Sequence, residues 1–341
     1  MDTAAVQTDL TPAQVEKLCA DFRRDYEAIA AEVGRVIVGQ REVVREVLVT
    51  LLADGHALLE GVPGLAKTLL IRTLSDALHL EFSRIQFTPD LMPSDITGTN
   101  IIEEDEHGRK AYKFIAGPVF ANLVLADEIN RATPKTQSAM LEAMQERSVT
   151  IYGERRALPD PFIVLATQNP LEQEGTYPLP EAQLDRFLLK IIVGFPSEDE
   201  LMEVMNRTTT QAIPKANRVI TGQRLLEMKD LVRRVATAPH VARYAVRLCT
   251  ASHPDNARAP ESVKRYVRYG ASPRAVQALI LGGKVLALLD GRFNLAFDDI
   301  RTLAAPALRH RVILNFEAEA EGRSADSVIK DIIATIPASA D

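Results

Sequence analysis

A glycine-rich octet at residues 61–68, GVPGLAKT, carries residue types that could bind a phosphate group. An apolar run precedes it and an amphipathic segment follows, so the octet is predicted to join a strand to a helix. Glycines let backbone N–H groups approach an anion, and the helix N-terminus adds its positive dipole end. Lys67 would reach the β- and γ-phosphates of a nucleotide, and the Thr68 hydroxyl would bind Mg²⁺.

Ala66 is the one departure of the octet from the strict pattern G-x-x-x-x-G-K-[ST], because it stands where the second glycine should be. An ordinary strand–turn–helix with an exposed lysine is therefore the alternative for this segment. The residues predicted to contact the nucleotide from this segment are Gly61, Val62, Pro63, Gly64, Leu65, Ala66, Lys67, Thr68 and Leu69.

Two adjacent carboxylates, Asp127 and Glu128, come directly after the apolar run at residues 123–126. Hydrolysis of a phosphoanhydride needs one carboxylate near Mg²⁺ and a second that orients or deprotonates water. The carboxyl ends of strands are where open α/β sheets bind their ligands. We therefore expect Asp127 to hold the Mg²⁺ shell and Glu128 to act as the base. A pair of acids that caps the next turn is the alternative.

Three more polar side chains are candidates for the same chemistry. Asn169 ends the next predicted strand, where its amide could bind a γ-phosphate or the attacking water, although an asparagine before proline also forms turns. Arg186 precedes a fifth strand and could stabilise transition-state charge in a neighbouring subunit. Pairing of Arg186 with Asp185 or Glu181 is the alternative. Arg274 lies near the start of a predicted helix, where a structural surface arginine is the alternative.

The elements that must position these residues alternate between strands and helices as far as about residue 195. Such alternation predicts an α/β fold with a parallel sheet covered on both faces. An N-terminal helix is expected to end at Gly34, and helical patterns replace strands from residue 197 onward. We therefore predict an N-terminal helix (1–35), an α/β core (36–195) and a helical domain (196–341). Two hairpins are predicted at residues 99–114 and 149–156.

Composition narrows the function classes. The 341-residue chain has a net charge of −6, which argues against a general nucleic-acid coat. Its two cysteines are too few and too far apart for a disulfide framework or a zinc site. No signal peptide is recognisable, and the longest apolar stretch is interrupted by Lys284, so we expect a soluble cytoplasmic protein without a membrane span. The stretch 264–269, KRYVRY, interleaves basic and aromatic residues as single-strand binders do, although a lid helix near the nucleotide explains it more simply.

Five segments in order, GVPGLAKT, LADEINRA, ATQNP, LPEAQLDRF and GASPRA, resemble those of the MoxR family of AAA+ ATPases. The resemblance covers nearly the whole chain from Val36. It implies an AAA+ αβα core with a five-stranded parallel sheet and a C-terminal all-α lid domain. The roles it implies are Walker A for Lys67 and Thr68, Walker B for Asp127 and Glu128, sensor 1 for Asn169, arginine finger for Arg186, sensor 2 for Arg274, and an adenine-lining segment for Val38, Gly39 and Gln40.

The resemblance also implies an activity and partners. It implies ATP hydrolysis with Mg²⁺ in a homo-oligomer, a hexameric ring, that remodels or matures protein clients together with proteins carrying von Willebrand factor A domains. The two hairpins would face the ring pore, and a further helical insert, placed at residues 220–240, would let Arg274 act on a neighbour's nucleotide rather than its own. Action of Arg274 on the nucleotide of its own subunit is the alternative. The acidic run 103–106 is then a solvated hairpin tip or a substrate contact. A motor acting on nucleic acid and a magnesium-chelatase-like motor subunit are the alternatives, and the Asp127–Glu128 pair argues against a switch without turnover.

Overall fold

A five-stranded parallel sheet forms the centre of the structure, a computed structural model that describes residues 11–104, 110–171, 175–209 and 214–338. The elements up to residue 192 are α1 (Pro12–Val36), α2 (Arg41–Leu52), β1 (Ala57–Glu60), α3 (Lys67–Leu78), β2 (Phe82–Gln86), α4 (Pro93–Thr97), β3 (Gly98–Glu104), β4 (Lys110–Ala116), β5 (Leu123–Asp127), a 3₁₀ turn (Ile129–Arg131), α5 (Pro134–Glu146), β6 (Ser148–Ile151), β7 (Glu154–Ala157), β8 (Ile163–Gln168), α6 (Glu181–Leu184) and β9 (Leu189–Ile192).

The sheet has the strand order β2-β5-β8-β1-β9, and all four neighbouring pairs are parallel. β5 is buried along its whole length, and β1 and β8 are buried except for their last residues, as strands covered on both faces must be. Parallel strands bring their carboxyl ends to one edge. The segments that follow β1, β5 and β8 therefore meet there, and the predicted α/β fold is confirmed.

The N-terminal helix starts where its capping signal predicts. Thr11 and Gln14 form a reciprocal capping box, with Pro12 at the first helical position. The prediction that Gly34 ends the helix is wrong, because α1 continues to Val36. Val33 and Val36 are buried, so packing of this last turn outweighs the weak helix propensity of one glycine.

Both predicted hairpins are present. β3 pairs with β4 and β6 pairs with β7, each antiparallel. The tip of the first hairpin, including Asp105 and Glu106 of the acidic run, lies outside the described residues. Large apolar side chains on the hairpins are exposed, among them Ile102 and Tyr112 on the first and Tyr152 on the second. These side chains therefore contribute little to the core of the monomer.

The region after β9 is mainly helical. Its elements are α7 (Glu198–Thr209), α8 (Gly222–Arg234), α9 (Pro239–Ala251), α10 (Glu261–Tyr266), β10 (Val267–Tyr269), α11 (Pro273–Leu289), α12 (Phe297–Leu308), β11 (Ile313–Leu314), α13 (Phe316–Ala320) and α14 (Ala325–Thr335). The antiparallel pair β10–β11 adds a short ladder to these helices. In α7 no residue is buried.

Two hydrophobic clusters cover the two faces of the sheet. The larger one joins α1, α2 and α3 to one face of the sheet and to the helices from α8 to α14. The smaller one packs α5 and the loop after β2 against the opposite face. Phe22 and Ile29 of α1 are completely buried in the larger cluster, so α1 packs against both the core and the helical region.

Candidate functional site

The octet 61–68 forms the turn between β1 and α3. Gly64 and Ala66 have positive φ angles of 84° and 55°, a region where glycine is unstrained and alanine is not. α3 begins at Lys67, and its N-cap residue, Ala66, makes no side-chain capping bond. The first N–H groups of the helix are therefore available to an anion. A side chain at position 61 would meet the Val193 carbonyl at 2.7 Å, so Gly61 lets the turn lie against the end of β9.

Lys67 extends back over its own turn, where its ammonium group donates to the carbonyls of Gly61 and Val62. Burial lowers the pKa of Lys67, and the negative charges of Asp127, Glu128 and Glu60 oppose this shift. An incoming phosphate would give Lys67 a stronger partner than two carbonyls.

Both carboxylate oxygens of Asp127 already have partners. Thr167 Oγ1 donates to Oδ1 at 2.6 Å, and Arg84 donates to Oδ2 from Nε at 3.1 Å and from Nη2 at 2.7 Å. A hydroxyl from Thr68 and a carboxylate from Asp127 are the hard oxygen donors that Mg²⁺ prefers. The donor set at this edge therefore fits Mg²⁺, provided that phosphate and water oxygens complete the shell.

Glu128 has a left-handed backbone, with φ of 56°. Its Oε2 accepts from Gln86 Nε2 and from Arg131 Nη1, each at 2.9 Å, and its backbone N–H donates to Thr167 Oγ1 at 2.9 Å. Backbone strain of this kind concentrates at functional sites. Both donors occupy Oε2, so in this arrangement that oxygen of Glu128 already has two hydrogen-bond partners.

Asn169 follows β8 and is buried beside the same edge. Its Oδ1 accepts from the Leu171 backbone N–H at 3.1 Å, which is the turn geometry that the alternative interpretation predicts. Because the carbonyl of the side chain serves this turn, its NH₂ group is the part that could donate to a phosphate oxygen. The two interpretations of Asn169 are therefore compatible.

A cavity of about 220 Å³, here called the loop-side cavity, opens beside the octet. Val38 and Gln40 line it, and Gln40 Nε2 donates to the Leu65 carbonyl at 3.1 Å. Gly39 has a positive φ and leaves room for the Glu200 side chain, which lies where a Cβ would be. The other lining residues are Val36, Ile37, Gly64, Leu65, Ala66, Leu69, Phe195, Pro196, Leu201, Val204, Arg207, Thr208 and Pro214.

Arg186 and Arg274 line a second cavity of about 260 Å³, here called the arginine cavity. Arg186 donates to the Leu141 carbonyl at 2.7 Å rather than to the carboxylate of Asp185 or Glu181. Arg274 lies 3.4 Å from Gln145 Oε1 and 3.8 Å from Asp185 Oδ2, and its side chain is 41% exposed. The two cavities share no lining residue. The structure thus brings the two arginines together and keeps both off the loop-side cavity.

Several residues of these sites do not stand out in the sequence. Arg84 and Gln86 alternate along β2, and that period-2 spacing was the available signal that both lie on one face. α7 contributes apolar side chains to the lining of the loop-side cavity. No sequence motif marks these side chains, because they have the spacing of an ordinary amphipathic helix. Thr167 is likewise an inconspicuous strand residue that bonds both Walker B candidates.

The stretch 264–269 corrects one expectation. α10 ends at Tyr266, and the next three residues form β10 rather than continuing a lid helix. Arg265 binds Glu317 and Glu321, and the Tyr266 hydroxyl donates to Glu321 at 2.7 Å. No residue of the stretch lines either cavity. Within the described ranges, no helix is both long and apolar enough to cross a membrane.

Comparisons with known proteins show which family and which solved structures this chain is similar to. A family model described as ATPase family associated with various cellular activities (AAA) matches residues 56–189, and an AAA lid domain model matches residues 260–332. Chaperone MoxR1 of Mycobacterium tuberculosis is 43% identical over 98% of this chain and 87% of its own. Protein MoxR of Paracoccus denitrificans is 32% identical over 93% and 97%. A crystal structure described as a "putative ATPase" from Cytophaga hutchinsonii matches with a TM-score of 0.87 and 41% identity, over 94% of this chain and 97% of that chain.

Proposed function

The chain belongs to the MoxR family of AAA+ ATPases, chaperone-like proteins, and from this premise we propose that it hydrolyses ATP with Mg²⁺ in a hexameric ring of identical subunits. The ring would remodel or mature protein clients together with a protein carrying a von Willebrand factor A domain. One relative is named as a chaperone, which favours a protein client. We place this activity in the cytoplasm.

The roles of the residues in the first half of the site follow from their positions. The α3 N-terminus and Lys67 bind the phosphates, and Thr68 and Asp127 hold the metal. A Mg²⁺ ion held by these two residues would supply positive charge that offsets the negative charge developing on the phosphates. Glu128 orients or deprotonates the attacking water after its own carboxylate has broken the hydrogen bonds to Gln86 and Arg131. Asn169 donates to the γ-phosphate or to the same water.

The main support for a ring of subunits is the separation of the two cavities within one subunit. Arg186 and Arg274 line a cavity that has no residue in common with the loop-side cavity. Two half-buried arginines that line one cavity suit the phosphates of a nucleotide bound to the next subunit. We therefore assign both arginines to the neighbouring site, which makes each active site incomplete within one subunit.

The exposed hairpins supply a surface for a protein client. Ile102, Tyr112 and Tyr152 present apolar area that the monomer does not bury. In a ring, the two hairpins of each subunit would line the pore, where such side chains could grip an extended polypeptide. The alternative of a nucleic-acid motor is weaker, because Arg265 and Tyr266 of the basic–aromatic stretch are engaged by Glu317 and Glu321.

Mixing of inactive subunits tests the proposal. Arg186→Ala and Lys67→Ala subunits should each assemble and hydrolyse ATP poorly, and mixed rings should regain activity. In a mixed ring, an Arg186→Ala subunit supplies an intact nucleotide site and its Lys67→Ala neighbour supplies an intact arginine. A lack of recovery in mixed rings, with assembly verified, would count against action across the interface.

A second experiment addresses the client. Glu128→Gln should bind ATP but lose turnover by a factor on the order of 10²–10⁴, since it removes the base. This variant can then be used to capture proteins that bind the ATP state, with Lys67→Ala as the control that does not reach this state. Near-normal turnover would overturn the assignment of Glu128. Stimulation of the ATPase rate by DNA or RNA at physiological salt would favour the nucleic-acid motor.

A further inference from the structure

Asp185 links the two arginines of the arginine cavity to the helical region. Its Oδ1 accepts from Ser272 Oγ at 2.7 Å and from Arg311 Nε at 2.8 Å, and its Oδ2 lies 3.8 Å from Arg274 Nη1. Asp185 directly precedes Arg186 in the chain. The carboxylate therefore ties the segment that carries Arg186 to the segment that carries Arg274.

Arg311 binds the backbone of residues 185–188, the segment that carries Arg186. In addition to Asp185 Oδ1, its guanidinium donates to the carbonyls of Asp185 at 3.0 Å, Phe187 at 2.6 Å and Leu188 at 3.1 Å. It also binds the Ala307 carbonyl at the end of α12. Three of the four backbone carbonyls from 185 to 188 are thereby fixed to one side chain. The planar fork of arginine is suited to several acceptors at once, which lysine is not.

The position of this guanidinium is unusual for an arginine. Its side chain is 2% exposed, whereas arginine is almost never fully buried unless it is paired. Burial lowers the pKa of Arg311, and the hydrogen bond and charge of Asp185 oppose this. The neighbouring His310 is also buried, and its Nε2 lies 3.1 Å from the Phe187 carbonyl. A buried cation with this many fixed acceptors defines one geometry rather than a range of geometries.

We propose that Arg311 is a positioning residue that, through Asp185, holds Arg186 and Arg274 in the fixed relative geometry needed to reach one nucleotide on the neighbouring subunit. The proposal rests on the function proposed above, in which both arginines act across the interface. Arg311 itself touches no nucleotide in this scheme. Its effect is exerted through the backbone of residues 185–188 and through the Asp185 carboxylate.

The first test separates turnover from nucleotide affinity. Arg311→Met keeps an unbranched, uncharged stem but removes all the hydrogen-bond donors, and Arg311→Lys keeps the charge with a single donor group. Displacement of a catalytic group by about 1 Å can cost on the order of 10²-fold in rate. We expect kcat to fall by about this factor in Arg311→Met and by about tenfold in Arg311→Lys. The Kd for ATP should stay within about twofold of the wild-type value, because the loop-side cavity is separate from the arginine cavity.

Arg309→Ala is the matched control. Arg309 is two residues away and binds the Lys190 carbonyl and Asp326, and none of its hydrogen bonds or ion pairs reaches residues 185–188. Its ATPase rate should be near normal. A loss in Arg309→Ala as large as in Arg311→Met would overturn the proposal, because docking of the helical region in general would then explain the effect. If Arg311→Met fails to fold, Arg311→Lys carries the same comparison.

Subunit mixing gives a readout that a purely structural role would not produce. Arg311→Met or Arg311→Lys subunits should regain activity when mixed with Lys67→Ala subunits, because each contributes a different half of the site. The same subunits mixed with Arg186→Ala should gain nothing, because both are defective in the same half. Recovery in the Arg186→Ala mixture would overturn the proposal.

The outcomes also distinguish this inference from the proposed function. If Arg186→Ala is rescued by Lys67→Ala but neither Arg311 variant is, the interface role of Arg186 stands and the positioning role of Arg311 is overturned. If Arg186→Ala itself is not rescued, the action across the interface is overturned, and the role of Arg311 with it.

Discussion

Arg84 donates two hydrogen bonds to a single oxygen of Asp127, from Nε at 3.1 Å and from Nη2 at 2.7 Å. The other oxygen of Asp127 accepts from the Thr167 hydroxyl. The carboxylate proposed to face the metal is thus already neutralised by a cation from the edge strand β2. If Asp127 binds Mg²⁺ as proposed, the metal would compete with a guanidinium for this carboxylate.

Removing this competitor should change the metal requirement. The Arg84 side chain is half-exposed, so its pairing with Asp127 contributes about 1 kcal/mol or less. We expect Arg84→Met to lower the Mg²⁺ concentration for half-maximal ATPase activity by roughly two- to fivefold. A titration of activity against Mg²⁺ measures this, with Arg24→Met on α1 as the control. An unchanged or higher requirement would show that Arg84 orients Asp127 rather than competing for it.

The apolar wall of the loop-side cavity should contribute to ATP affinity. Leu201 lines the cavity, and its truncation removes apolar contact worth about 1 kcal/mol. Leu201→Ala should therefore weaken ATP binding by roughly fivefold, with little change in kcat. Equilibrium binding of a fluorescent ATP analogue measures the change. Met202→Ala is the matched control, because Met202 is adjacent and exposed but does not line the cavity; equal losses in both variants would contradict the assignment.

Ala66 carries backbone strain that glycine would relieve. Its φ of 55° lies in the left-handed region, which costs a residue with a Cβ about 1–2 kcal/mol. We expect Ala66→Gly to raise the free energy of unfolding by about 1 kcal/mol while retaining ATP binding. Ala28→Gly, on the exposed face of α1, should instead lower the free energy of unfolding by about 1 kcal/mol. Chemical denaturation of both variants checks the opposite signs.

Glu46 on α2 should make stability depend on pH. Burial raises the pKa of Glu46 to about 7, although Arg309 opposes the shift. A carboxyl whose pKa is raised by folding contributes stability below its unfolded pKa, and this contribution is lost as the pH rises through about 7. The Glu46→Gln substitution should therefore raise the free energy of unfolding more at pH 8 than at pH 5. The difference between the two effects should be at most about 3 kcal/mol. Unfolding at both pH values, with Glu16→Gln at an exposed position of α1 as the charge control, measures the difference.

The sequence predicts those parts of the fold and site that depend on local order along the chain. Asp127, Asn169 and the octet each follow an apolar strand directly, and parallel pairing then brings them to one edge. Arg186 and Arg274 are recognisable as candidates, but their shared cavity depends on how the helical region packs. The pairing of Arg311 with Asp185 joins residues 126 positions apart. No periodicity or motif encodes such a contact, because it is decided by tertiary packing.

α7 is a second element whose role in the site could not be predicted from the sequence. Its apolar residues have a helical pattern that predicts an element but not its partner. Leu201 and Val204 face a cavity beside the octet rather than a packed core. The sequence could therefore indicate the helix and could not indicate its role in binding.

The exposure of α7 predicts that the stability of this helix depends on whether a nucleotide is bound. A 12-residue helix with no buried residue is marginally stable in water by itself. A nucleotide bound in the loop-side cavity as proposed would cover Leu201 and Val204 and thereby supply the packing that α7 lacks. The amide protons of α7 should exchange quickly with solvent in the free protein and slowly in the ATP-bound protein. The order of this one helix is thus coupled to occupancy of the site.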